Sequence, residues 1–420
     1  MVFNRLYGRR FHSEPTGIPT LYPTLDPLQL ERFLTDLDYA HIKSFDNVYI
    51  LPFFSRKSES LQACFGLGLS RLMIRNLMLL RDISIHGPED TPEVPCEAVH
   101  DISEAQPRSC HVTGLTSFGS DGYSLQVEVH RPGRPVNRTS VRHGHFNTFL
   151  RECSSAIARL LGSKVDDGIA QAWQVAQPRD AKSLVQLGII HFDFERQQMA
   201  ERGGAAQRLL DIDPDFVVAM WDIDEEPPGV NQKYFTGLKS DPYNAQLYFL
   251  TFCAIWTSTS PQPEALQFCR KAIELSPGHG KAQMCAPHAA QRPVEMLRHS
   301  ELGYRLLPGN SFAVNNYTLA LTRANAPAAK RLELAEEGIT VDPRDPGSYM
   351  RLIELCISLG DHKTALATAE RLRKLYEPKM DERALYCLRQ NPRMAEPIDS
   401  GEYDPVAENR QLIAELRGHL

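Results

Sequence analysis

The sequence predicts an α+β chain: a small N-terminal α/β domain followed by an all-α array of helical repeats. Three observations predict it. Strand-like apolar runs are confined to residues between Asn47 and His143. After about residue 166 the apolar spacing is helical throughout. Proline also closes successive helical stretches at positions 214, 242, 277, 308, 343 and 378, which stand 28, 35, 31, 35 and 35 residues apart. A helix-turn-helix unit recurring near that length marks a solenoid.

Each element follows from local chemistry. Residues 1–46 hold Pro15, Pro19, Pro23 and Pro27, then an amphipathic stretch from Leu28 to Leu37. Proline fixes φ and removes a donor, so this reads as an extended arm ending in a short helix. The run Val48-Tyr49-Ile50-Leu51-Pro52-Phe53-Phe54 is almost wholly apolar, as expected of a strand buried on both faces, and Pro52 closes it. Leu61 to Leu80 spaces its apolar residues as a helix. Asp82 to His86 alternates as a strand until Gly87-Pro88 stops it. Residues 88–108, rich in proline and acid, form a predicted loop. Gly119-Ser120-Asp121-Gly122 joins two alternating segments, His111–Phe118 and Tyr123–His130, into a predicted hairpin, and Val136–His143 supplies a third strand. Phe146 to Leu161 closes the domain as a helix ended by Gly162. The expected boundaries are an arm over 1–46, the α/β domain over 47–165, repeats over 166–395 and a tail or capping helix over 396–420.

The last full unit carries a resemblance. Tyr349, Leu352, Ile353 and Cys356 on its first helix, Leu359-Gly360-Asp361 at its turn, and Ala365, Ala369 and Leu372 on its second resemble the tetratricopeptide (TPR) repeat. The unit opening at Tyr243 fits too, with Phe249, Phe252, Cys253 and Trp256, then Ala265, Cys269, Ala272 and Pro277. Pro287 and Arg331 depart from the motif in the middle units. The resemblance implies a TPR-like helical solenoid. In front of it, Tyr49-Ile50-Leu51-Pro52-Phe53, Gly68-Leu69-Ser70-Arg71-Leu72, Asp82-Ile83-Ser84-Ile85 and His111-Val112-Thr113-Gly114 resemble the TolB-N-terminal-like α/β domain. Such domains precede TPR repeats in bacterial regulatory proteins, which implies a regulatory or adaptor role. The 46 residues before Asn47 are too few for a winged helix or a cyclase domain.

Composition excludes several classes. Hydrophobic residues make up 42% and charged residues 23% of 420, which excludes a collagenous or wholly disordered chain. With 46 basic against 52 acidic residues the net charge is −6, so no global field favours nucleic acid. Nine cysteines form no C-x-x-C pair and are odd in number, as expected of free thiols in a reducing compartment. Arg9-Arg10 is followed by proline rather than by an apolar signal stretch. The longest nearly apolar run, Leu247 to Trp256, is about half a membrane span. The expectation is a cytoplasmic chain without a membrane span, in which the sequons at Asn137 and Asn316 are irrelevant.

Motifs of chemistry compete with plain structural readings. Gly66-Leu67-Gly68-Leu69-Ser70 imitates a phosphate loop, but it stands well after the strand and Arg71 replaces the third glycine, so helix-start packing is expected. Asp211 to Asp215 imitates a calcium loop, yet Phe216 and Asp222 stand where glycine and glutamate are required. His143-Gly144-His145 has no evident third ligand. Arg131, Arg134, Arg138 and Arg142 read as a solubilising rim without interleaved aromatics. No nucleophile elbow occurs. The expectation is therefore no catalytic residue, no metal, no cofactor and no enzyme.

The function expected of such an array is to hold a protein or peptide on its concave face, with Lys281, Asn315, Met350 and Glu354 as groove candidates. A homo-oligomer is compatible with that reading. Two alternatives stand beside it: a small-molecule sensor using the α/β domain, and a hydrolase with an unrecognised site. A structural alternative fills the groove with the chain's own arm.

Overall fold

The computed structural model describes residues 35–55, 60–90, 108–192, 199–222, 232–258, 263–288, 293–389 and 397–420. Most of the expected arm lies outside them. Its described end is a helix, α1 (Asp36–Lys43), started by a capping box in which Thr35 and Asp38 satisfy each other's backbone amides. The stretch expected to be helical from Leu28 to Leu37 lies, up to residue 34, outside the described residues.

A sheet follows. Strand β1 (Asp46–Ile50) and the two-residue β2 (Phe54–Ser55) divide the apolar run at Pro52. Helix α2 (Ser60–Leu77) leads to β3 (Ile83–His86), then β4 (Ser109–Gly119), β5 (Gly122–His130) and β6 (Asn137–His143). The order across the sheet is β3-β1-β4-β5-β6, with β2 also paired to β4. β1 runs parallel to β3 and β4, while β4, β5 and β6 are antiparallel. Helix α3 (Phe146–Leu161) ends at Gly162, whose φ of +83° supplies the left-handed C-cap. Val48, Ile50, Val112, Leu125, Val127 and Val129 are buried with apolar residues of α2 and α3 in one cluster. Asn47 and Tyr49, one residue out of phase on β1, lie on the opposite face.

Everything described after β6 is helical or turn. A short α4 (Asp167–Ala172) precedes α5 (Ala181–Phe192) and α6 (Met199–Ile212). A 3₁₀ turn (Val217–Asp222) leads to α7 (Gln232–Ser240). Helical hairpins then recur: α8 (Ala245–Ser258) with α9 (Pro263–Leu275), α10 (Gly280–Cys285) with α11 (Pro293–Leu306), α12 (Ser311–Arg323) with α13 (Ala328–Val341), and α14 (Pro346–Ser358) with α15 (His362–Tyr376). Helices α16 (Glu382–Arg389) and α17 (Pro405–Gly418) finish the chain. The fold is a small sheet-and-helix domain followed by a TPR-like helical solenoid. Pro287 cuts α10 to six residues, after which a 3₁₀ turn, Ala286–His288, replaces the helix.

Two devices join sheet domain and array. Gly66 and Gly68 lie in the middle of α2, not at a helix start, and there they permit close approach. A Cβ on Gly68 would collide with the Leu184 backbone of α5, and one on Gly188 with the Cys64 backbone of α2. The two helices thus cross through reciprocal glycines. Beside them Arg75 of α2 is buried, 2% exposed, against Asp241, 0% exposed, in the turn after α7. Arg75 Nε donates to Asp241 Oδ2 at 2.9 Å, Nη2 reaches Oδ1, and Nη1 donates to the Ala172 carbonyl at 2.9 Å and to Asn76 Oδ1 at 3.0 Å. The charge is paired and both Nη1 protons find acceptors, which offsets the cost of burying a guanidinium.

Candidate functional site on the repeat array

The first helices of successive units supply the groove candidates. Asn315 sits on α12, and Met350 and Glu354 sit one turn apart on α14. Asn315 Nδ2 donates to Asp345 Oδ2 at 3.1 Å and to Ser348 Oγ at 3.0 Å, so it bridges α12 to the start of α14. Burial raises the Asp345 carboxyl above its ordinary pKa, against hydrogen bonds from Ser311, Gly347 and Ser348. Met350 packs partly against the apolar cluster of α14 and α15. Glu354 accepts from Arg351 Nη1 at 2.8 Å with 36% of its side chain exposed, and partial burial raises its pKa while Arg351 opposes the rise. Each of the three is partly exposed: Asn315 meets the buried start of α14, and Met350 and Glu354 stand one turn apart on the side of α14 that is not fully buried.

Lys281 stands apart from these three. It lies at the start of α10, where its ammonium meets Asp90 of the sheet domain at 2.9 Å. The unit at α10 faces the chain's own sheet. Ser84 Oγ of β3 donates to the Gly278 carbonyl at 2.5 Å, and Asn47 Nδ2 of β1 donates to the Arg305 carbonyl at 3.0 Å. The described end of the arm takes a different place: α1 packs on α11, with Ile42 and Phe45 against Leu302 and Leu306, and with ion pairs Lys43–Glu301 at 2.5 Å and Asp36–Arg298. Residues 1–34 lie outside the described residues.

The other motifs resolve into structure. Asp213 is buried and accepts from the Arg179 amide at 2.8 Å and Ser183 Oγ at 2.6 Å, tying the α6 turn to the start of α5. The His145 amide donates to His143 Nδ1 at 2.9 Å, a turn-closing bond before α3. Arg131 is no mere rim residue, since its Nη2 donates to the Leu161 carbonyl at 2.7 Å and helps cap α3. Arg138 pairs with Glu128 at 3.0 Å across β5 and β6. The eight described cysteines are free thiols, and burial pushes Cys110 up to about 12. Among the described residues no group of three or more His, Cys, Asp or Glu side chains is placed to hold a metal, and no helix is long and apolar enough to cross a membrane.

Sequence reasoning missed a cavity between the sheet domain and the array, lined by residues from α2, β3, α5, α8 and the start of α10. The signal available was the pair His279 and Lys281 flanking a repeat turn, which spacing alone does not connect to residues 71–90.

No protein-family model matches this chain, and no curated protein does. Among solved structures it is similar to the crystal structure of yeast Tom70, at 16% identity and a TM-score of 0.29, over 60% of this chain and 63% of that one. The chain therefore spans less than two thirds of that protein's length, and the reading of the array rests on its own helices.

Proposed function

We propose that this chain is a non-enzymatic scaffold that binds an extended peptide or a helix of another protein on the face carrying Asn315, Met350 and Glu354. The observation that carries the reading is on α14: held in register with α12 by Asn315, it presents a partly exposed thioether and a carboxylate one turn apart. A face that mixes an adaptable apolar side chain with a charge suits peptide recognition, where apolar contact supplies affinity and charge sets orientation. The carboxylate selects a basic residue in the partner. The bacterial regulatory setting implied by the resemblance of residues 47–165 to TolB-N-terminal-like domains, and a cytoplasmic location, belong to the same reading.

Panning a displayed peptide library against the full chain tests it. Basic peptides should be enriched, and Met350→Ala with Glu354→Lys should weaken their binding about tenfold or more while the helical circular-dichroism spectrum is retained. No enrichment, or equal binding by the double variant, would refute the proposal. Asn315 is left intact because its loss would also loosen the α12–α14 contact.

A further inference from the structure

The cavity at the junction is partly open and has a volume of about 210 Å³, below the roughly 300–1,000 Å³ of sites for drug-sized ligands. Its walls come from both halves of the molecule. Met78 just after α2 and Leu307 after α11 give it apolar surface; Arg71, which also meets His191 Nδ1 at 3.3 Å, Lys281 and His279 bring donors, and Asp90 brings a carboxylate. His279 is the telling member. It is only 3% exposed, and its Nδ1 accepts the Ala282 amide at 3.2 Å as the N-cap of α10. A neutral ring whose Nδ1 accepts must carry its proton on Nε2. That Nε2–H has no acceptor among the described residues. Burying a donor without a partner costs roughly as much as a lost hydrogen bond, a cost that an acceptor from outside would remove. Burial first, then the Lys281 ammonium and His86, hold the ring neutral, with its pKa lowered to about 3, so the imidazole stays a donor. The protein already seats one carboxylate here, Asp90 on Lys281.

We propose that this cavity binds a small organic oxyanion, with its negative oxygen on His279 Nε2–H between Arg71 and Lys281 and its apolar body against Met78 and Leu307. The carboxylate of an organic acid and the phosphate of a phosphorylated metabolite share this chemistry. A ligand here touches α2, β3, α5, α8 and α10 at once, so its binding energy adds directly to the stability of the junction. The proposal is independent of peptide capture by α12 and α14.

Calorimetric titration of the full chain with benzoate and, separately, with inorganic phosphate tests it. His279→Asn is the informative variant, because asparagine retains an N-cap acceptor but withdraws the Nε2–H. Saturable binding of either probe that weakens about tenfold or more in His279→Asn supports the site, and the probe that binds identifies the head group. Should the variant lose its fold, the His279 Nε2–H proton resonance of the native chain gives a second reading, and it should shift on saturation. Absence of saturable binding by both probes, binding indifferent to His279→Asn, or an unmoved resonance would overturn the proposal.

Discussion

Up to Ala286 the helical array shares a single buried cluster with the sheet domain, whereas from Ala335 onward the helices close a core of their own. The same repeat chemistry thus serves two ends. In the first part the outward faces of the units are turned to the chain itself: α5 lies in the glycine notch of α2, Asp241 takes Arg75, the turn at Gly278 sits on β3, and Lys281 is held by Asp90. In the second part Tyr349, Leu352, Cys356, Ala365, Ala369 and Leu372 pack α14 on α15, and the opposite side of α14 stays half-exposed. A solenoid unit needs only its neighbours for stability, so a surface the neighbours do not use is free for another role.

The sharpest way to break the welded part is Arg75→Ala, which leaves Asp241 charged, buried and unpaired. We expect a loss of about 3–5 kcal/mol in urea unfolding. Arg75→Met with Asp241→Leu, which removes both charges, should recover much of it, and a double variant as unstable as the single one would show that the pair is not what joins the two halves. Gly188→Ala comes next. Its new methyl meets backbone rather than a yielding side chain, so α2 and α5 must separate, at a cost of about 1–3 kcal/mol or more. Neither change touches the core of α14 and α15, so limited proteolysis of these variants should leave the C-terminal hairpins protected relative to the sheet domain.

Acid probes the same side of the molecule. Burial lowers His111 to about 4 and His279 and His299 to about 3, with His130 adding to the effect at His111 and Lys281 and His86 at His279. Each is neutral in the fold and takes up its proton near the ordinary value of 6.5 once unfolded. Because the folded value is the lower one, the contribution is complete above about pH 6.5 and drains away as pH falls toward 3–4. The slope is at most about 1.4 kcal/mol per pH unit for each histidine. Urea midpoints measured from pH 7 to pH 4 should fall accordingly, and His279→Asn should flatten the curve. A flat native curve would mean that these rings are not held neutral.

How much of this is legible in the sequence depends on the range of the forces involved. The hairpin at Gly119–Gly122, the helix ended by Gly162 and the proline-marked turns are readable because turn chemistry and periodicity act over a few residues. The division of the apolar run at Pro52 is half-readable, since proline announces the break but not the second pairing of Phe54 with Leu115. Gly66 and Gly68 suggest a helix start because glycine is a poor helix former, and their use is visible only with Leu184 and Gly188 beside them, more than a hundred residues away. Arg75 and Asp241 carry no signal at all, being one arginine and one aspartate among many. Of the groove candidates, helical register places Asn315, Met350 and Glu354 on first helices, while the fate of Lys281 is set by Asp90 in a distant loop.

The smallest stability effect is expected where the binding reading needs it. Glu354 is paired with Arg351 three residues earlier on a half-exposed face, and such pairs contribute about 0.2–0.5 kcal/mol. Glu354→Gln should therefore leave the unfolding midpoint almost unchanged. Asn315→Ala, by contrast, frees the buried Asp345 and Ser348 from a donor and should cost about 1–2 kcal/mol. Equal losses in the two variants would mean that the half-exposed side of α14 supports the fold as Arg75 does, and the distinction between a welded half and a free one would fail at the point where it bears on function.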